Sequence, residues 1–405
     1  QGKRDEALPH NHPSLDPYTG GDPALLSAAG IVSLGGFEFG KVDTAEIDRY
    51  LGETRLLWIE TAHCELGFAL GEYKPTRTEK PKLQAELDAL RRVLPAVPEK
   101  VPRALDPWLR AHLFAQRAEQ VYARVQGILG VTDASFPDRP LEFFDVSTKY
   151  MGMGPYLGQK GKYEILILPS ESASTTFLQW QFGLLVRSAQ RWNVLDRGSL
   201  ISVMHTDDGS LRVDSALHGH MAFNLGINLL DGYKLYAYEL PIWMREGLGH
   251  LLEREIDPRY NTFNRSEGSG GSETKEADWL GELRKLVRRD EAPRMAELVA
   301  VESYGDLDLP DHFTCWSLTA FLVREHGPAY AAVLDRLKGL LNEQHVPDGS
   351  DLRTHHRDAI RELLGWTYAD LDAAWRAWVL SPAAEDPVEE DDGLGEDGQP
   401  LPPGY

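Results

Sequence analysis

The run Leu217-His218-Gly219-His220-Met221-Ala222-Phe223-Asn224, followed by Leu240-Pro241-Ile242-Trp243-Met244-Arg245-Glu246-Gly247-Leu248-Gly249-His250, decides how this chain is read. Both segments carry apolar residues at helical intervals, which predicts helices over roughly 215–230 and 241–255. Residues four apart share a helix face, so His220 stands over Asn224 and Glu246 over His250.

Working outward, Tyr163-Glu164-Ile165-Leu166-Ile167-Leu168 reads as a strand, with glycines before it and Pro169 after it. Ser199–His205 reads as another, ending in the turn Thr206-Asp207-Asp208-Gly209, with Leu211-Arg212-Val213 able to pair back. Ser174–Trp192 between them reads as a helix. Strands followed by paired helices predict an α+β class, mainly α overall, with a central domain over 140–256 built on a small sheet and two core helices.

Upstream, residues 1–43 are rich in Pro, Gly, Asp and His and read as an extended arm. Residues 44–135 read as a helical bundle. Thr44-Ala45-Glu46-Ile47 has the spacing of a helix start, and Trp58, Ile59, Ala62, Leu66, Ala69 and Leu70 recur at helical intervals. Lys80–Leu94 follows as an amphipathic helix, and Asp106-Pro107-Trp108 opens another to about Gly130. Downstream, Ser266–Ser272 reads as a flexible loop. Residues 273–380 read as a helical domain with helices over 279–289, 311–326, 329–341, 352–364 and 368–379. Residues 381–405 hold eight acidic residues, no basic one and five prolines, and are expected to be disordered.

A zinc hydrolase needs two ligands four apart on one helix face, a Glu beside the first, and a third ligand from a following helix. Glu246 suits the third ligand, with His250 one turn later on the same face. On the first helix, Asn224 stands four residues after His220 and Met221 occupies the place of the base. The register starting at His218 offers Gly219 and Ala222 instead. Both registers lack the Glu and the second His.

The block Leu240-Pro241-x-Trp243-x-x-Glu246-Gly247-Leu248 resembles the third-ligand helix of gluzincin metallopeptidases of the peptidase MA-like group, where it follows a strand and an H-E-x-x-H helix. Cys315–Gly327 and Leu364–Trp375 are similar to the helical domain that trails these peptidases, so the likeness spans about residues 160–380. The resemblance implies a zincin-like central domain with His220 as first ligand and Glu246 as third, so that the two are expected to face each other across adjacent helices, close enough for a shared ligand or a direct hydrogen bond. It places His250 where the family usually has a supporting carboxylate. A thioether cannot take a proton from water, and Asn is a poor zinc ligand. The departures at Met221 and Asn224 thus imply a catalytically inactive member of the class, a pseudopeptidase that serves as a binding or structural module. Such a module is expected to need no cofactor and to hold a protein or peptide in its cleft. Two alternatives stay open. One is an atypical metal-dependent hydrolase that binds zinc through His220, Glu246 and His250, with or without His218, and takes its base from Glu239 or Asp214. The other is a metal-binding protein using the N-terminal His10 and His12.

Composition narrows the field further. The 405 residues are 42% hydrophobic and 26% charged, the balance of a folded globular chain. A net charge of −21 argues against a nucleic-acid partner, since phosphates call for a basic face. No apolar run approaches the ~18 residues of a membrane-spanning helix. Two cysteines, Cys64 and Cys315, exclude a disulfide-stapled scaffold and leave room for one long-range bridge. The start at Gln1 suits a processed leader, and export is the expected destination. Among weaker signals, Glu60-x-x-His63 matches half of a di-iron motif, and His63 with His112 and Cys64 could form a mononuclear site. Asp207-Asp208-Gly209 reads as a turn and His355-His356 as a solvated face. Gly247 is expected to serve close packing of a helix on a strand.

Overall fold

The computed structural model describes residues 10–264, 268–269 and 278–385. The expected extended arm therefore lies partly outside the described residues, and its described part is structured. Asp22 caps α1 (Pro23–Ala28) by accepting the Ala24 amide, and β1 (Ile31–Ser33) follows. The short pair β2 (Glu38–Phe39) and β3 (Val42–Asp43) turns through Gly40, and Asp43 then caps α2 (Thr44–Leu51) by accepting the Glu46 amide.

The segment after α2 departs from the expected bundle. Residues 57–68 are not helical but form the hairpin β4 (Leu57–Thr61) and β5 (Cys64–Phe68). Nearly every residue in the two strands is buried. Burial on both faces erases the alternation by which a half-exposed strand is recognised, and the remaining apolar run mimics a helix. Gly67 fixes the strand reading in three dimensions, because a Cβ there would sit 2.4 Å from the Trp58 ring. The hairpin joins the main sheet through β5, so residues 44–135 are not a separate bundle.

Two expected helices follow, α3 (Lys80–Arg91) and α4 (Pro107–Leu129). Asp106 caps α4 through the Trp108 and Leu109 amides, and Gly130 at φ +65 ends it. Next come β6 (Tyr163–Leu168) and α5 (Glu171–Phe182). The helix expected to reach Trp192 stops at Gly183, in the left-handed region at φ +72. The chain turns there into β7 (Ala189–Val194), which pairs antiparallel with β8 (Ser199–His205). Leu211-Arg212-Val213 forms no strand but leads into α6 (Asp214–Gly232), and α7 (Ile242–Arg254) follows. The expected loop over 266–272 lies outside the described residues except for β9 (Gly268–Ser269), which pairs with β7.

The C-terminal helices are α8 (Trp279–Arg289), α9 (Met295–Ala300), α10 (Leu309–Leu337), α11 (Leu352–Ala359) and α12 (Tyr368–Val379). The two helices expected over 311–341 are one element, bent at His326 (φ −132, ψ 26) just before Pro328. A proline removes a backbone donor and clashes with the preceding turn, which accounts for the bend. Residues 386–405, most of the expected disordered tail, lie outside the described residues.

The described strands form a mixed sheet in the order β1-β4-β5-β6-β8-β7-β9, with β6 parallel to both β5 and β8. The protein is mainly helical with this one large sheet, an α+β arrangement. Side chains alternate across it. Ile165 and Ile167 join the core formed with α4, α6, α7 and α10, while Leu166 and Leu168 join Phe177 and Leu178 of α5 and Ile47 of α2. On the first face α6 lies against β6 and β8, α7 packs on α6, and α10 packs on α7. Every residue of α6 except Ser215 is buried. Gly247 does serve close approach, but to a helix: a Cβ there would meet the Cys315 carbonyl of α10 at 2.4 Å. Cys64 and Cys315 are both free and buried, so no bridge links them. Among the described residues no helix is long and apolar enough to cross a membrane.

Candidate metal centre

The face of α6 that carries His220 and Asn224 is closed by hydrogen bonds. The Asn224 amide donates to the His220 carbonyl at 2.9 Å and lies 3.3 Å from His220 Nε2, while His220 Nδ1 is 3.1 Å from Thr262 Oγ1. Arg191 of β7 reaches in from the sheet, and its Nη1 donates to Asn224 Oδ1 and Asn264 Oδ1, each at 2.9 Å. Asn264 in turn donates to Glu246 Oε1 on α7. His220 and Glu246 are therefore joined by a relay with a buried guanidinium at its middle. Burial, with His205 and Arg191 near by, pushes His220 down to about 3, so it is neutral. Met221 is fully buried in the core.

His218 belongs elsewhere. Two residues before His220, it projects from another face of the helix. Its Nδ1 lies 3.9 Å from Glu86 Oε1 of α3, and its ring meets Phe114 of α4 edge-on. It borders a cavity of about 400 Å³ with Lys82, Gln116, Arg124 and Leu252. Burial and then the charges of Arg117 and Lys82 hold it well below the usual histidine range.

Glu246 and His250 do converge, and the third member of their group is His312 of α10, which the sequence reading missed. Glu246 Oε2 lies 3.4 Å from His250 Nε2 and 3.2 Å from His312 Nδ1, and the two ring nitrogens are 3.0 Å apart. Among the described residues this is the group of His, Cys, Asp and Glu whose donor atoms approach one another as metal ligands do. The Glu246 and His250 side chains are 0% exposed and that of His312 is 6%. Glu253 completes the surroundings, 2.7 Å from His250 Nδ1 and accepting the Thr262 amide. The rings of Phe223, Phe263 and Trp279 pack around His250.

Burial would raise the Glu246 carboxyl, but His250 and His312 outweigh it and hold the group below the ordinary carboxylate range. Burial works against a charged His250, yet Glu246 and Glu253 together lift it above its ordinary value. His312 goes the other way: burial lowers it, and Glu246 only partly offsets that. Desolvation also raises Glu253.

The remaining candidates are engaged separately. Glu60 lies on β4 and binds Lys162 at 2.8 Å, so the Glu60-x-x-His63 motif is not on a helix. His63 sits in the β4–β5 turn between Glu119 (2.7 Å) and Asp133 (3.2 Å), whereas His112 pairs with Asp16 at 2.9 Å. Asp214 is clamped by Arg110 and Arg117, and Glu239 receives Arg245 and Tyr236. Asp207 pairs with Arg212 in its turn. His10 Nε2 lies 3.0 Å from the Leu56 carbonyl and His12 Nδ1 2.7 Å from Ser14 Oγ. The expected solvated face at 355–356 is half wrong. His356 is buried against Trp243 and Tyr368, because α11 packs on α10. Asn264 is buried within the relay.

The chain matches no protein-family model and no curated protein.

Proposed function

We propose that this chain is a catalytically inactive, gluzincin-like protein, an exported pseudopeptidase that keeps the α6–α7 frame as a binding or structural module. The observation that carries the reading is the relay from Asn224 through Arg191 and Asn264 to Glu246. It sets a fixed cation and two amides where a hydrolase would hold an open metal position and a water. Met221 in the core cannot act as a base, and a carboxylate that receives bidentate or paired arginines has little capacity to accept a further proton. That applies to Asp214, held by Arg110 and Arg117. The convergence of Glu246 and His250 with His312 suits a metal, but neither Met221 nor Asp214 supplies the hydrolase alternative with a base. Incubating the protein with a mixed peptide library, with and without added zinc, is expected to give no cleavage. Zinc-dependent cleavage that disappears in Glu246→Gln would overturn the reading.

A further inference from the structure

We propose that Glu246, His250 and His312 bind a single divalent ion of the zinc class, as a clamp between α7 and α10. This is a different site from the one His220 would serve. Glu246 and His250 are common to both, and His312 takes the place of His220. The proposal goes beyond the inactive-module reading and does not depend on it.

Four observations carry it. The three donor atoms are separated by 3.0, 3.2 and 3.4 Å. Ligands bound tetrahedrally to zinc at about 2.0–2.1 Å lie roughly 3.3–3.4 Å from one another, so little movement is needed to embrace an ion. Next, Glu246 Oε2 is a fully buried carboxylate oxygen that receives no well-directed hydrogen bond, because the two imidazoles align with each other and not with it. A buried acceptor of that kind calls for a compensating charge, and an ion bound by all three atoms supplies it. The outer surroundings are also those of a metal site. Glu253 at His250 Nδ1 fixes the proton on that nitrogen and turns the Nε2 lone pair toward the cluster, while Asn264 holds the other Glu246 oxygen. Finally, the rings of Phe223, Phe263 and Trp279 pack around His250, and the three ligand side chains are almost wholly buried. Structural zinc sites are closed and catalytic ones keep an accessible position. Any water completing the coordination would find Glu253 already committed to His250 and Thr262, so the ion would hold helices together without activating that water.

The test is metal binding by the full chain. Stripped protein titrated with zinc is expected to take up one ion per chain, to gain in melting temperature, and with cobalt to show the visible bands of tetrahedral coordination. Glu253→Gln should weaken binding by ~10–100-fold and His312→Ala by more, whereas His220→Ala should bind as the wild type does. Peptide hydrolysis is assayed on the same samples, so the fate of the inactive-module reading is recorded separately. Should His312→Ala fail to fold, His312→Cys carries the test, because a thiolate is itself a zinc ligand and adds a sulfur-to-cobalt charge-transfer band. Absence of zinc uptake by the wild type, undiminished binding by His312→Ala, or a folded His312→Cys without that band would each overturn the proposal.

Discussion

Arg191 is 4% exposed and provides, through one nitrogen, the donor shared by Asn224 and Asn264. Taking that shared donor out of the interior costs on the order of 1–3 kcal/mol in all. Arg191→Met, which keeps much of the bulk and none of the donors, is therefore expected to lower the unfolding free energy by ~1–3 kcal/mol in urea titrations. A midpoint equal to that of the wild type would show that the relay contributes nothing. At this scale the sequence was partly legible. Glu246 and His250 lie one turn apart on a single helix, and their convergence follows from helical geometry alone. His312 was not legible, because it stands 62 residues beyond His250 and reaches the cluster only through the packing of α10 on α7. Glu253, three residues after His250, carried a readable spacing signal that was overlooked.

Among the elements, caps and glycines proved the most readable signals. Asp106 and Gly130 bound α4 where expected, and strands β6 and β8 stand where their apolar runs placed them. The hairpin of β4 and β5, buried on both faces, was misread as helix, whereas β6 and β8, equally buried, kept legible apolar runs between turn residues. The close seat of α7 on α10 is open to a direct test. Gly247→Ala would bring a Cβ within 2.4 Å of the Cys315 carbonyl, so the helices must separate. Overpacking of this kind costs ~1–3 kcal/mol, and a Gly247→Ala protein of undiminished stability would contradict the described seat. A second junction is sensitive to pH. His63 ties the β4–β5 turn to Glu119 on α4 and to Asp133 beyond it, and these carboxylates outweigh burial to raise the ring above its ordinary 6.5. A group raised on folding stabilises fully below its unfolded value and loses that contribution as pH climbs through the folded one. Melting temperature should thus fall as pH rises from about 6.5, relative to His63→Gln, in which this component is missing. Parallel profiles for the two proteins would remove His63 from the account.

For the whole molecule, the sheet is what joins the regions that composition and periodicity divided. β5 runs parallel to β6 over Cys64–Phe68, and α4 shares one continuous core with α6 and α7. A chain beginning at residue 140 would expose the edge of β6 and the underside of α6, and it is expected to unfold without a cooperative transition. A sharp transition in that fragment would restore the separate-domain reading. The central proposal is that a metal binds between α7 and α10, at Glu246, His250 and His312, and not on the face of α6 bearing His220 and Asn224. Anomalous diffraction at the zinc edge, on crystals soaked in zinc, tests it most directly. The account requires a peak bounded by Glu246, His250 and His312 with Arg191 still bonded to Asn224; a peak bounded by His220 and Glu246, with Arg191 displaced, would contradict it.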